Sequence, residues 1–157
     1  MTEGAPIDDP ADLTRHIETR YHARHREQLP ELAALATKVE AVHADAAGVP
    51  AGLAAILNRM TGEMDVHMKK EELILFPAIR AGGGPGIEHP IAVMRADHFG
   101  HNADLEDIRK ITGDLALPEG ACRTWTRLYE GLDEFIVDLQ EHMRLENDVL
   151  FPQFEAA

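Results

Sequence analysis

Apolar residues recur every three or four positions along four long segments of the chain. Runs rich in glycine and proline separate these segments, and none of them shows the alternation of two that is typical of a β-strand. Spacings of three and four place the apolar side chains on one face of an α-helix. The pattern therefore predicts an all-α protein with four amphipathic helices.

The lengths of these segments and of their connectors indicate how the helices are arranged. The predicted helices span approximately 12–45, 53–81, 89–113 and 125–150. Residues 1–11 are expected to form a loose lead-in, and 12–157 the folded domain. Pro30 falls inside the first helix and is expected to kink it or to end its first half. Short links between long helices favour an antiparallel up-down-up-down four-helix bundle.

Composition and charge narrow the classes of function. The 157 residues suit one domain, and the formal charge of −13 disfavours binding to nucleic acid or to an anionic membrane. Cys122 is the only cysteine, so no internal disulfide can form. No apolar run approaches the ~20 residues of a membrane span, and the acidic N-terminus is unlike a signal peptide. The expected location is the cytoplasm.

One short stretch is written twice. HMKKEELILFP, at 67–77, and HMRLENDVLFP, at 142–152, agree at six of eleven positions and lie almost half the chain apart. A fainter pair, HARH at 22–25 and HFGH at 98–101, is separated by nearly the same interval. The chain therefore resembles one helical hairpin used twice, with its halves related by a pseudo-twofold axis through the bundle.

The repeated stretch carries metal-binding chemistry. Residues four apart lie on one face of a helix, so His67 pairs with Glu71 and His142 pairs with Glu146. A carboxylate has two oxygens and can bridge two cations, whereas an imidazole nitrogen binds one. Two bridging glutamates flanked by histidines predict a pair of metal ions. The predicted ligands are His22, His67, Glu71, His98, His142 and Glu146.

The donor set also indicates the metal. Two octahedral ions offer about twelve positions, of which four histidines, two bridging glutamates and one oxo or hydroxo bridge fill about ten. The remaining positions would accept a small diatomic ligand. Imidazole and carboxylate without thiolate favour iron or manganese, and we expect two iron ions, Fe²⁺ or Fe³⁺.

Other histidines and acids allow two interpretations each. Glu63 and Asp138 lie four residues before His67 and His142, where a carboxylate either accepts the second ring N–H of the ligand or faces solvent. His25 and His101 either support the ligands or lie at the surface. A single His-x3-Glu pair would be an ordinary solvated pair, and it is the repetition in matching surroundings that favours metal binding.

Two further residues are set apart from the metal site. His43 lies 21 residues after His22, about 31 Å along an unbroken helix, which is too far to share its site. Nothing in the sequence supports a nucleophilic role for Cys122.

With these residues identified, the chain resembles the hemerythrin-like superfamily. It is most similar to the di-iron domain of the repair-of-iron-centres proteins, from about Arg15 to Phe154. The resemblance is carried by RYHARHREQLPEL, ATKVEAVHAD, HMKKEELILFP, IAVMRADH, ACRTW and HMRLENDVLFP. It implies the same six ligands that the spacing predicts, with Glu71 and Glu146 as the bridging carboxylates.

The resemblance also implies a function. Members of the repair family are described as bacterial stress proteins that restore iron–sulfur clusters damaged by nitric oxide or oxidants. Iron donation and reduction of nitric oxide to nitrous oxide are both proposed activities. Full-length members carry an N-terminal domain with a cysteine pair that this sequence does not include, so an electron donor or docking partner would have to supply its role.

Three functions share these ligands. The first is a di-iron redox or iron-donating protein, and the second is a module that reversibly binds or senses oxygen or nitric oxide. The third is a bundle that only stores metal. Oxygen-carrying hemerythrins typically have His-x4-Asp on the last helix and His-x3-His on the third. The pairs His142-x3-Glu146 and His98-x2-His101 therefore disfavour a pure oxygen carrier.

Overall fold

The computed structural model describes residues 4–155, and these residues form four long helices. Three of the helices are interrupted by a π-helical turn. The first comprises Pro10–His16, the π-turn Ile17–His22 and Ala23–Val42. The second comprises Leu53–Lys70, the π-turn Glu71–Leu75 and Phe76–Arg80. The third is Glu88–Ile111. The fourth comprises Arg123–Arg144, the π-turn Leu145–Leu150 and the 3₁₀ turn Phe151–Gln153.

The helix boundaries agree with the predicted ones to within three residues. No strand occurs between residues 4 and 155, so the predicted all-α class is confirmed. The first helix begins at Pro10, two residues earlier than expected, because the Asp9 carboxylate accepts a hydrogen bond from the Ala11 N–H and caps its N-terminus. Residues 1–3 of the predicted lead-in and 156–157 of the predicted domain lie outside the described part of the chain.

Pro30 does not end the first helix. The segment Ala23–Val42 continues through it. Pro30 lies on the exposed face of this helix and lacks the N–H that would otherwise bond to the Arg26 carbonyl. Of the two expected effects, a kink or an end of the first half, the end at Pro30 is wrong.

Two apolar clusters establish the direction of each helix. One cluster contains residues near the start of the first and third helices and near the end of the second and fourth. The other contains residues from the opposite ends, including the long run from Trp125 to Met143. Successive helices therefore run in opposite directions, as an up-down-up-down bundle requires. The predicted metal ligands fall where the two clusters meet.

A side chain of the first helix holds the connector to the second. The Glu40 carboxylate accepts hydrogen bonds from the backbone N–H groups of Gly52 and Ala54, at 2.7 and 2.8 Å, and so caps the second helix from the first. Gly52 has a φ of 93°, which favours glycine at this turn. None of the helices in the described part of the chain combines the length and the hydrophobicity that a membrane span needs.

Candidate metal centre

The bundle brings the six predicted ligands together in its interior. All six side chains are buried, and the two glutamates have no exposed surface. They form two groups of four that share both glutamates, and within each group one ligand atom per residue lies within 4.8 Å of the others. The first group is His22, Glu71, His142 and Glu146, and the second is His67, Glu71, His98 and Glu146.

The π-turns coincide with the ligands. One π-turn ends at His22, another begins at Glu71, and the third contains Glu146. The Phe76 N–H bonds to the Glu71 carbonyl, and the Phe151 N–H bonds to the Glu146 carbonyl. A proline follows each phenylalanine and has no N–H to donate, which favours a shift of the hydrogen-bond register there. The repeated Leu-Phe-Pro therefore has a local structural role beside the ligands.

The inward-facing atoms are in close contact. His22 Nε2 lies 3.0 Å from Glu71 Oε1, and His67 Nε2 lies 3.6 Å from the same oxygen. His98 Nε2 lies 2.9 Å from Glu146 Oε1, and His142 Nε2 lies 3.1 Å from Glu146 Oε2. Each glutamate thus contacts a histidine of each group, as a bridging carboxylate would. The two histidines contact the same oxygen of Glu71 and different oxygens of Glu146.

The outward-facing ring nitrogens are held by partners on neighbouring helices. Each ligand histidine uses Nδ1 for this contact, which leaves Nε2 directed at the glutamates. The pairs are His22 with Glu72 at 2.7 Å, His67 with Asp97 at 2.9 Å, His98 with Asn147 at 2.8 Å and His142 with His25 at 3.1 Å. Such contacts fix ring orientation and tautomer in metal sites.

The two acids expected to support the ligands lie elsewhere. Glu63 is exposed and contacts Arg59 at 3.5 Å, and Asp97 occupies the place beside His67. Asp138 pairs with Arg20 at 3.0 Å. Both acids lie one turn before their histidine on the same helix. Their side chains therefore contact other residues than the ones that bond to Nδ1 of His67 and His142.

His25 and His101 are both buried, so the surface interpretation of each is wrong. His25 donates or accepts through Nε2 to His142 Nδ1 and stacks on that ring with 5.2 Å between centroids. His101 lies edge-on to His67 at 4.8 Å and makes no side-chain hydrogen bond among the described residues. Burial lowers the pKa of His101 to about 3, so its ring is neutral.

Burial and close contact shift the pKa values of the predicted ligands. Burial and the neighbouring Glu146 raise the pKa of Glu71. Burial also acts to raise the pKa of Glu146, but His142 and His98 outweigh it and hold that pKa well below its usual value. Burial acts to lower the pKa of His142, yet the two carboxylates raise it to about 10. His142 therefore carries a proton where a cation would otherwise balance the glutamates.

Two buried atoms at the centre, His67 Nε2 and Glu71 Oε2, lack hydrogen-bond partners in the described part of the chain. His98 Nε2 and Glu146 Oε1 have only each other, at 2.9 Å. An unpaired buried carboxylate oxygen is costly unless a positive charge compensates it. No lysine or arginine in the described chain contacts either glutamate, so the site fits metal cations better than it fits a purely organic network.

His43 and Cys122 lie at one end of the bundle. His43 is thus distant from His22, as its position 21 residues later predicts. His43 caps the C-terminus of the first helix, and its Nε2 lies 3.2 Å from Cys122 Sγ. Cys122 caps the fourth helix by accepting from the Trp125 N–H at 3.4 Å. Neither residue contacts the metal ligands.

A cavity of about 430 Å³ opens from the surface towards this site. It lies between the second and third helices, and His67 and His101 line its inner end. A second cavity of about 380 Å³ lies between the first and second helices and reaches His25, behind the ligand His142.

Residues 13–154 match a known protein family, the hemerythrin HHE cation binding domain. The chain belongs to the hemerythrin family. The structure is a helical bundle in which buried histidines and glutamates form two groups. This arrangement agrees with the description of the family as cation-binding. Binding of metal cations by this hemerythrin domain is thereby supported.

Similar proteins are named as iron–sulfur cluster repair proteins. This chain is 50% identical over 143 residues to the iron–sulfur cluster repair protein YtfE of Pectobacterium atrosepticum, and the match covers 91% of this chain and 65% of that relative. It is 50% identical over 142 residues to the protein of the same name from Yersinia pseudotuberculosis serotype O:1b, covering 90% and 64%. The chain thus spans about 65% of the length of these relatives. The resemblance to the repair proteins is confirmed.

Sequence reasoning missed three of the four partners of the ligand histidines. Glu72 and Asn147 directly follow Glu71 and Glu146, and they are separated by the same interval as the two repeated stretches, so the repeat could have revealed them. Asp97 lies beside His98 in sequence but contacts His67 on another helix. No spacing rule within one helix predicts such a contact.

Proposed function

We propose that this chain holds two iron ions with a bridging oxo or hydroxo group, and that it repairs damaged iron–sulfur clusters under nitrosative or oxidative stress. The two four-residue groups that share Glu71 and Glu146 support the di-metal part. The relatives named as iron–sulfur cluster repair proteins support the repair part. The donor set of imidazole and carboxylate favours iron.

In this proposal, His22 and His142 bind one ion and His67 and His98 bind the other, while the glutamates bridge. A reduced iron pair supplies electrons and open positions for a diatomic ligand such as nitric oxide or oxygen. The residues around the ligands hold the rings in place. Phe76 stacks on His22 at 5.8 Å and Phe151 stacks on His98 at 6.0 Å, so apolar rings cover the site at equivalent places in both halves.

The partners in this proposal are a damaged iron–sulfur protein, an electron donor and a diatomic ligand. Nitric oxide reduction is the enzymatic form of the activity, and iron donation is the other. The cytoplasmic location expected from the sequence stays a prediction.

The first test measures the iron stoichiometry of the anaerobically loaded protein. Two irons per chain are expected for the native protein, and fewer than two for Glu71→Ala and for Glu146→Ala, because each variant lacks a bridge. Retention of two irons in both variants would sink the bridging assignment. Asp138→Ala is the matched control, since this buried acid pairs with Arg20 and should leave the iron content unchanged.

The second test separates turnover from reversible binding. The reduced protein is mixed with oxygen, which is then removed under argon while the visible spectrum is followed. A lasting diferric spectrum agrees with the repair proposal, and transfer of iron to a damaged [4Fe–4S] client and formation of nitrous oxide from nitric oxide are then measured. A band that reverses would instead favour the alternative function, an oxygen- or nitric oxide-binding sensor.

A further inference from the structure

The two halves of the site differ in the residues that surround equivalent ligands. In the repeat, Tyr21 corresponds to Asp97 and His25 corresponds to His101, at the same interval that separates HARH from HFGH. Tyr21 stacks on His142 at 5.7 Å, whereas Asp97 bonds to His67. The half built from His22 and His142 and the half built from His67 and His98 are therefore not equivalent.

In the half of His22 and His142, an ion pair holds the partner of His22 and stacked rings hold His142. Glu72, which holds His22, is clamped by two hydrogen bonds from Arg26 at 2.7 and 2.9 Å. Arg26 in turn contacts Asp65 at 3.3 Å. On the other side, the His142 ring stacks on Tyr21 and on His25, with 5.7 and 5.2 Å between centroids.

In the half of His67 and His98, an arginine supports only the His98 side. Arg95 donates to the backbone carbonyl of Asn147, the partner of His98, at 3.0 Å. Asp97, which holds His67, is 31% exposed, and no lysine or arginine in the described chain pairs with it. His67 itself lines the 430 Å³ cavity, whereas the cavity on the other side stops at His25. Of these two cavities, the one between the second and third helices reaches a predicted metal ligand and the other does not.

Two glycines in helix interiors line this cavity. Gly62 and Gly100 line it from facing helices, and glycine is less favourable than alanine inside a helix. Neither glycine has a positive φ, and an added Cβ would meet no atom within 4 Å at either position. Their backbone and their neighbours therefore do not require glycine. What glycine provides at both positions is free space at the mouth of the cavity.

His101 lies at the inner end of the same cavity with an imidazole available for a ligand. It is 4% exposed, and its Nδ1 is unpaired. Its counterpart His25 also has an unpaired Nδ1, but its Nε2 is engaged by His142. Only the half of His67 thus has a second, unengaged imidazole ring beside a ligand.

We infer that the two metal positions exchange at different rates. The position formed by His67 and His98 exchanges its ion with solution through the cavity at Gly62 and Gly100, and His101 is the side chain that binds the ion in transit. The position formed by His22 and His142 retains its ion. This inference rests on the proposed di-iron site, and it identifies the half from which iron would be donated.

The release of iron to a chelator tests the difference in rate. The protein is loaded anaerobically with two ferrous ions and mixed with an excess of a coloured ferrous chelator. Two phases of equal amplitude are expected, with rates at least tenfold apart. Release of both ions in a single phase overturns the inference but leaves the proposed function intact. A chain that does not bind two irons overturns both.

The identity of the exchanging position needs a separate measurement. Protein that has lost one ion is refilled with Mn²⁺ and crystallised, and anomalous diffraction locates the manganese. Manganese between His67 and His98 supports the inference, and manganese between His22 and His142 overturns it.

Variants at the cavity test the route. Gly100→Leu should slow the fast phase at least tenfold, because the side chain fills the mouth of the cavity. Gly100→Ala should raise the melting temperature with little change in rate, which separates helix stability from access. Ala103→Leu is the matched control on the exposed surface of the same helix, and its rates should equal those of the native protein.

The histidine pair provides a second set of variants that leaves Gly100 unchanged. His101→Leu should slow the fast phase while two irons still bind. His25→Leu, its counterpart in the repeat, should leave the fast phase unchanged and alter only the slow one. An effect of His25→Leu on the fast phase equal to that of His101→Leu would contradict the assignment of the route.

Discussion

Single side chains decide how firmly each ligand of the site is held. The ligand histidines all use Nδ1 for a neighbouring helix and Nε2 for the glutamates, so an outer partner determines the direction of each ring. Asp97 is the partner of His67, whereas Glu63, one turn before His67 on the same helix, points to solvent. These two acids therefore offer a matched pair for measurement.

Asp97→Asn should lower metal affinity by about 10- to 100-fold, because loss of the carboxylate weakens the His67 imidazole as a ligand. Glu63→Gln removes the same charge from the same cavity and should leave the affinity unchanged. Competition with a chromophoric chelator measures both. Equal losses in the two variants would show that the charge of the cavity matters rather than the contact with His67.

His142 gives metal binding a pH dependence. The carboxylates raise its pKa to about 10 in the metal-free protein, so it is protonated at neutral pH and must lose that proton to bind a cation. Raising the pH towards 10 should therefore strengthen binding, by about tenfold per pH unit for each proton released. Calorimetry at pH 7 in buffers of different ionisation enthalpy should show proton release. Identical heats in all buffers would contradict it.

Contacts within one helix could be predicted from the sequence, whereas contacts between helices could not. His67 with Glu71 and His142 with Glu146 were predictable because the helical period fixes which residues share a face. The contacts of Asp97 with His67 and of Asp138 with Arg20 depend on the rotation of one helix against another. That rotation follows from core packing, which a pattern within one helix does not contain.

At the scale of the element, the π-turns could not be predicted from periodicity. In the first helix Tyr21 and His22 are both buried, four and five residues after the buried Ile17. A regular α-helix directs only one of these two positions at the same neighbours. The wider π-turn lets the helix bury an aromatic ring and a metal ligand side by side.

Deletion of Thr19, an exposed residue of this turn, should restore a regular helix and keep the fold. Metal stoichiometry should fall, because His22 would then lie four residues after Ile17, in the place of Tyr21. Circular dichroism and metal analysis measure the two effects. Deletion of the exposed Ala34, in the regular part of the same helix, is the control and should instead lower the melting temperature by rotating the buried residues after it.

The proposed metal site joins all four helices. Its ligands come from the first helix at His22, from the third at His98 and from the second and fourth through the glutamates. Ligands that bind only the folded chain stabilise it. The site is therefore expected to contribute to the stability of the bundle as well as to its chemistry.

Metal should raise the melting temperature of the native chain, and a chelator should reverse the effect. At a free metal concentration about 100 times Kd, the gain in unfolding free energy is about 2.7 kcal/mol per site. Differential scanning calorimetry with and without Fe²⁺ or Mn²⁺ measures it. An unchanged melting temperature would mean that the six residues do not bind the metal in the folded state.

The doubled hairpin has a consequence for how such a site can diverge. An assembly of two identical hairpins would carry every substitution in both halves, and its two ions would always be alike. Joining the hairpins in one chain removes that constraint. Tyr21 opposite Asp97 and His25 opposite His101 are differences of this kind. Substitutions in one half can therefore let one position retain its ion and the other release it, without changing any of the six ligands.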